Sequence, residues 1–353
     1  MTAKFSSPPG LPAGIAGPLI EAAQSVATIA PWEFMSDLEL IGLRDEAGDE
    51  LHVASVLGTL GTLFAIVIYR HDTGLRWIRS VAASRSAPAR HSGLEDMDCL
   101  KVEWTAKREL SKPDLATLAA AGFKPAGKGP VWPRFESCQP GWYPWVVNEA
   151  EARLLTEHLR KIARFVRLRE RAGVLHQEPL EAQVPIIPAG DQSSLKLEDI
   201  EWVPLVPRPA LSPEPIVLTA SEQKKLAALP LRKDCTFEFI APLLPELSFF
   251  DERAGRPCIG RTGLMIDRSS QFIFNMHLVH GAAPLREAAH PVLVNGLCKA
   301  GARPGAIHVD NERLAAVLRS ACEAVGIPVR QAGSLKAAEE ALLDLEKHFG
   351  TRG

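Results

Sequence analysis

Apolar residues recur along this chain with two periods, and the change from one to the other marks its elements. Leu38 to Leu43 and Leu51 to Leu57 flank Arg44-Asp45-Glu46-Ala47-Gly48-Asp49-Glu50, a polar turn containing glycine, which predicts a hairpin. The β-branched Ile66-Val67-Ile68 within Phe64 to Tyr69 predicts a third strand. The alanine-rich stretch from Pro18 to Ile29 predicts a short helix with Pro18 near its start. Leu115 to Ala121, closed by Gly122, predicts another. Arg153 to Arg171 carries the clearest helical pattern. Leu155, Leu159, Ile162 and Val166 share one face, and Arg153, Arg160, Arg164, Arg167 and Arg171 share the opposite one.

From Pro179 to Pro215 the chain holds eight prolines and little periodicity, which predicts a linker. Beyond it the pattern is regular again. Cys235 to Ile240, Arg261 to Ile266 and Phe272 to Val279 read as strands, with Phe272, Phe274, Met276 and Leu278 alternating onto one face. Then follow a helix over Leu285 to Lys299, interrupted at Pro291 and ended by Gly301, and a strand over Ala306 to Val309. A helix over Asn311 to Val325, a strand over Ile327 to Arg330 and a helix over Leu335 to Phe349 complete the order βββαβαβα. The expected organisation is a tail over 1–15, an α+β N-terminal domain over 16–178, a linker over 179–222 and an α/β C-terminal domain over 223–353.

Composition narrows the class. With 353 residues, 46% hydrophobic, 23% charged and a net charge of -2, the chain is neither disordered, collagen-like nor coiled coil. Binding to nucleic acid or membrane through bulk charge is excluded, so any such partner needs a local patch. Leu51 to Tyr69 lacks Asp, Glu, Lys and Arg, but Gly58 and Gly61 near its middle favour two strands over a membrane span. Pro8, Pro9, Pro12 and Pro18 break any signal-peptide core. The six cysteines include no C-x-x-C pair, so reduced thiols in a cytoplasmic protein are expected, with no zinc site.

The order βββαβαβα resembles the ribonuclease H-like fold. Ile307-His308-Val309-Asp310-Asn311-Glu312, with the helix that follows, resembles the second catalytic segment of integrase and transposase cores. There a strand ends in Asp-Asn-Gly; here Glu312 replaces the glycine. The resemblance implies three carboxylates converging on two divalent ions, magnesium or manganese. Glu238 on the first strand and Asp310 after the fourth would be ligands, with Glu339 or Glu346 from the last helix. Glu238 stands where these enzymes usually carry aspartate. Structural roles compete: Asp310-Asn311 stand where a helix N-cap is wanted, and Asp267-Arg268-Ser269-Ser270 suits a hairpin turn.

Val56-Leu57-Gly58, Trp132-Pro133-Arg134-Phe135-Glu136-Ser137 and Pro140-Gly141-Trp142-Tyr143-Pro144-Trp145, with a later Arg256-Pro257 step, resemble a bacterial family of uncharacterised proteins. That resemblance implies a soluble bacterial protein and brings no activity. Trp132, Trp142, Trp145, Phe135 and Tyr143 form the densest aromatic cluster, suited to stacking on bases or, more simply, to pinning a proline-rich loop onto the next helix. Glu151 to Arg171 holds seven basic and three acidic residues, a local charge of +4 that can meet phosphates or face solvent. No phosphate loop, nucleophile elbow or dinucleotide fingerprint is present. The expectation is a non-catalytic binding protein without cofactor, its partner a protein or a nucleic acid held by the arginine helix. The alternative is a divalent-metal-dependent nuclease or integrase-like phosphoryl transferase.

Overall fold

The computed structural model describes residues 9–37, 39–46, 50–71, 74–78, 95–124, 131–173, 183–190, 195–204 and 212–350. The predicted hairpin and third strand form as β1 (Leu40–Arg44), β2 (Leu51–Leu57) and β3 (Phe64–Tyr69). Arg44 pairs with Leu51 and Leu57 with Ala65, so the uncharged run folds back on itself as two strands. Among the described residues, no helix is long and apolar enough to cross a membrane. With β4 (Cys99–Thr105), β5 (Trp132–Cys138) and β6 (Trp145–Val146) these strands extend one antiparallel meander.

The proline-rich stretch departs from expectation. Within it, β7 (Gln183–Ile187) pairs in parallel with β1, and β8 (Glu201–Pro204) pairs with β7. Among the described residues the first sheet therefore has eight strands, in the order β6-β5-β4-β3-β2-β1-β7-β8. Pro204 closes the edge strand β8, and Pro185 stands one residue before the Ile186–Gly42 pairing with β1 begins, positions where a ladder donor can be spared.

One face of this sheet is covered by α1 (Ala13–Ile29) and α3 (Glu149–Arg171), while α2 (Lys112–Ala120) packs beside α1. The first helix starts five residues before Pro18, which sits inside it. Asn148 caps α3 in a reciprocal capping box with Glu151, and Leu155, Leu159, Ile162 and Val166 are buried on the sheet as predicted.

The second sheet is built from β9 (Leu231–Ile240), β10 (Leu243–Asp251), β11 (Arg256–Asp267), β12 (Ile273–His280), β13 (Arg303–Val309) and β14 (Val329–Gln331). Ile240 pairs with Leu264 and Leu243 with Arg261, so β9 and the start of β10 follow one register along the same edge of β11 across Ala241-Pro242, before a bulge between Leu244 and Ser248 shifts it. Pro242 and Pro245 hid β10 from the sequence reading. Since β12 pairs with residues 260–266 of β11, it must occupy the opposite edge. Across the sheet the strands run β12, β11, β9/β10, β13, β14, with β13 parallel to both β9 and β14 and β11 antiparallel to its neighbours.

Helices α5 (Leu285–Ala300) and α6 (Glu312–Glu323) fill one face of this sheet with α4 (Ala220–Ala227), and α7 (Lys336–Gly350) lies on the other. Helix α5 runs unbroken through Pro291.

One predicted face is corrected. A register shift between Met265 and Ile266 puts Phe274 on the interior side, its ring 4.6 Å from that of Phe237. Met276 and Leu278, opposite Leu264 and Thr262, lie on the α7 side of the strand instead.

Candidate functional site

In sheets with parallel neighbours, ligands collect beyond the carboxyl ends of the strands where the chain order reverses. Here that crevice lies past Ile240 and Val309, the ends of the adjacent parallel strands β9 and β13. The predicted carboxylates approach it. Glu238 pairs in register with His308, and Asp310 follows two residues later, so both belong to the α7 side of the sheet.

Their chemistry is already committed. Glu238 is 1% exposed; one carboxylate oxygen accepts the Ala338 N–H at 2.9 Å and the other lies 3.7 Å from Arg268 Nε. Ala338 stands in the first turn of α7, so the buried carboxylate neutralises a helix N-terminus and takes up one of its orphan donors. Glu339 closes the same turn from outside, accepting from Leu335 N at 3.1 Å and Ser334 Oγ at 3.3 Å. The side chain of Glu346 falls outside the described residues. Asn311 caps α6 through Leu314 N at 2.9 Å and donates to Asp310 Oδ1 at 2.8 Å. Crowding by the surrounding chain, then the charge of Glu95, raise the Asp310 carboxyl above its ordinary range. Asp267 accepts from Ser269 N and Oγ as hairpin-turn chemistry requires. Among the described residues, no group of three His, Cys, Asp or Glu could hold a metal ion.

Glu95 and Asp96, from the first half of the chain, reach these strand ends, a contact with no sequence signal. Arg261 Nη1 donates to the carbonyl of Ala241, just past β9, and to Glu95 Oε1 at 2.6 Å. Arg313, in the first turn of α6, lies 3.2 Å from Glu95 and 3.1 Å from Asp96.

A second contact between the domains unites the two segments that stood out in the sequence. Trp142 bridges to Cys258, Tyr143 N donates to Pro257 O, and Ile259 N donates to Gly141 O. The Pro-Gly-Trp-Tyr segment thus adds to the free edge of β11 where β12 ends. Gly141 has φ +78°, and a Cβ there would sit 2.2 Å from the carbonyl carbon of Gly281. Arg256 locks the segment down: its guanidinium donates to Gln139 Oε1 at 2.8 Å, Tyr143 O at 3.0 Å and Ser137 O at 3.3 Å, and lies over the Trp142 ring. Trp145 packs on Phe250. Contrary to expectation, Trp142, Tyr143 and Trp145 pin the loop onto the second half of the chain and not onto the following helix, while Trp132 and Phe135 pack into the first core.

The clasp continues inward. Gln139 also reaches Glu151, which accepts from Ser137 Oγ, Asn148 N and Arg70. Burial pushes the Glu151 carboxyl up, but these donors outweigh it and hold the group below the ordinary carboxylate range.

The arginine row is partly absorbed by packing. Arg167 donates to Ser25 Oγ on α1 at 3.0 Å, Arg164 to Leu195 O at 3.3 Å, and Arg160 lies 4.0 Å from Glu21. Arg153 and Arg171 are the exposed ends of the row. Arg167→Ala is therefore expected to lower unfolding free energy by about 1 kcal/mol in a urea titration, and Arg153→Ala by under about 0.5 kcal/mol. Equal losses would show that the row is not divided in this way. The inner face of the same helix holds groups the sequence reading missed. His158, fully buried, has its ring centroid 4.9 Å from that of His52 of β2 with the planes tilted by 55°, and Lys161 reaches Arg44 O.

Comparison with known proteins matches residues 17–182 to a domain of unknown function (DUF7309) and residues 222–346 to a second domain of unknown function (DUF6930). No curated protein and no solved structure matches the chain.

Proposed function

We propose that this pairing of two domains of unknown function is a non-catalytic binding protein of the bacterial cytoplasm, built on a ribonuclease H-like C-terminal scaffold. Support for the scaffold comes from the pairing order β12, β11, β9, β13, β14, with β11 reversed, and from a helix after each of β12, β13 and β14. All six cysteines are unpaired thiols, in keeping with a reducing compartment.

The observation that carries the non-catalytic reading is Glu238. A first metal ligand has to offer free lone pairs toward the crevice. Here the carboxylate sits under the α7 N-terminus and beside Arg268. Releasing it would leave Ala338 N–H without its acceptor, and the Arg261–Glu95 pair stands over the same strand ends. The competing reading is a magnesium- or manganese-dependent nuclease using Glu238, Asp310 and Glu339 or Glu346.

Titrating magnesium and manganese against wild type and Asp310→Ala separates the two. The melting temperature is expected to stay flat in both proteins, with no cleavage of DNA or RNA. A metal-dependent rise present in wild type and absent in Asp310→Ala would overturn the reading. The partner is proposed to be protein. Nucleic acid held by Arg153, Arg160, Arg164, Arg167 and Arg171 predicts instead a salt-sensitive gel shift that Arg160→Glu with Arg164→Glu abolishes.

A further inference from the structure

We infer that β12 is a self-association edge, and that two copies of the chain join by antiparallel pairing of β12 with β12. The starting point is a mismatch between pattern and burial. The stretch Phe272 to His280 contains no Asp, Glu, Lys, Arg or Pro, a composition that suits a covered strand. Yet Phe272 is 54% exposed, Ile273 37%, Met276 45% and Leu278 44%. Single exposed apolar side chains are ordinary, but Ile273, Met276 and Leu278 share the α7 side of one sheet margin and form a patch, with Phe272 beside them on the α5 side.

The edge beside the patch is equally open. Among the described residues, β12 pairs only with β11, so its outer row of backbone N–H and C=O groups has no ladder partner. The other sheet margins carry the features that discourage strand addition. Strand β6 has two residues and β14 three, the latter including Arg330. Strand β8 begins with Glu201 and ends with Pro204, and β10 carries Pro245, Glu246 and a bulge between Leu244 and Ser248. Strand β12 has none of these over Asn275 to His280.

The same comparison selects the occupant. Head-to-tail addition of β12 to β14 or β6 would match a strand of eight residues with one of three or two. The strand finds its own length and polarity only in a second β12. A two-fold axis normal to the sheet keeps each face on its own side, so Ile273, Met276 and Leu278 of both copies meet on the α7 side. Leu343, 53% exposed, lies about one turn along α7 from Glu340, which accepts from Gln271 at the β11–β12 turn, and extends that apolar margin. Two-fold pairing also sets like against like, which a charged strand would resist; β12 has no formal charge to oppose. Closure by a two-fold axis leaves no β12 edge free for a third copy.

Sedimentation equilibrium of the full chain is expected to give twice the 38.4 kDa chain mass at tens of micromolar, falling to the single mass on dilution. Met276→Lys with Leu278→Lys, both at solvent-facing positions, is expected to stay monomeric with an unchanged circular dichroism spectrum. Hydrogen exchange of wild type supplies a reading that needs no variant: amides of 273–280 should exchange roughly tenfold slower at high protein concentration than at low. A wild-type monomer at 100 micromolar overturns the proposal. So does a dimer that survives the double substitution, or one whose β12 exchange is independent of concentration.

Discussion

Arg256→Ala is expected to uncouple the two domains, splitting a single calorimetric transition into two and lowering the first by several degrees. One guanidinium satisfies Gln139 Oε1, Ser137 O and Tyr143 O and covers the Trp142 ring, and all four belong to the other domain. Removing it leaves two backbone carbonyls and an amide oxygen short of a charged donor. Hydrogen bonds to charged groups contribute about 1.5 to 3 kcal/mol each, and shared acceptors do not add fully, so a loss of roughly 3 kcal/mol is expected. Arg256→Lys keeps the charge but offers no planar fork, and is expected to recover less than half of that. A single transition unchanged in Arg256→Ala would show that the clasp does not couple the domains. The two Glu95 pairs over the second sheet would then be the more important contact.

The reach of the sequence follows the range of the forces involved. Elements fixed by local chemistry were legible: the β1–β2 hairpin, the apolar face of α3, the Asn311 cap and the Asp267 turn each depend on residues within a few positions. Strand β7 was hidden because its partner β1 lies some 140 residues earlier, and its prolines read as linker. The expected common face of Phe274, Met276 and Leu278 is broken by one bulge, since a single extra residue reverses strand parity.

The candidate site divides the same way. Glu238 and Asp310 reach one side of adjacent strands, as a topology guess allows. Ala338, which claims Glu238, is 100 residues away, and Glu95 is 166 from Arg261. The Trp-rich segment and the Arg-Pro step stood out in the sequence separately. Only the fold joins them, because strand addition to β11 is read from backbone edges and not from side chains.

Acid should destabilise the N-terminal domain well above the carboxylate range, and His158 is expected to be the main cause. The ring is fully buried between α3 and the sheet, and neither of its nitrogens has a hydrogen-bond partner among the described residues. Burial, then the neighbouring His52 and Lys161, lower its pKa to about 2. Burial likewise lowers His52, which Glu50 only partly offsets. An unfolded histidine titrates near 6.5. Above that pH both states are neutral and the ring carries no proton-linked penalty. Below it the unfolded chain takes up a proton that the folded chain refuses, and stability falls by about 1.4 kcal/mol per pH unit until the folded value is reached. Between pH 6.5 and 5 this removes roughly 2 kcal/mol through His158 alone, before the hydrogen-bonded carboxylates Glu103 and Glu151 begin to protonate. His158→Leu keeps the helix and the approximate volume while deleting both nitrogens. It is expected to raise the melting temperature at pH 7 and to flatten the stability profile between pH 6.5 and 5 by about one proton. If urea titrations of wild type and His158→Leu run parallel across that window, the buried imidazole is not the acid-sensitive group, and His52 is the next to replace.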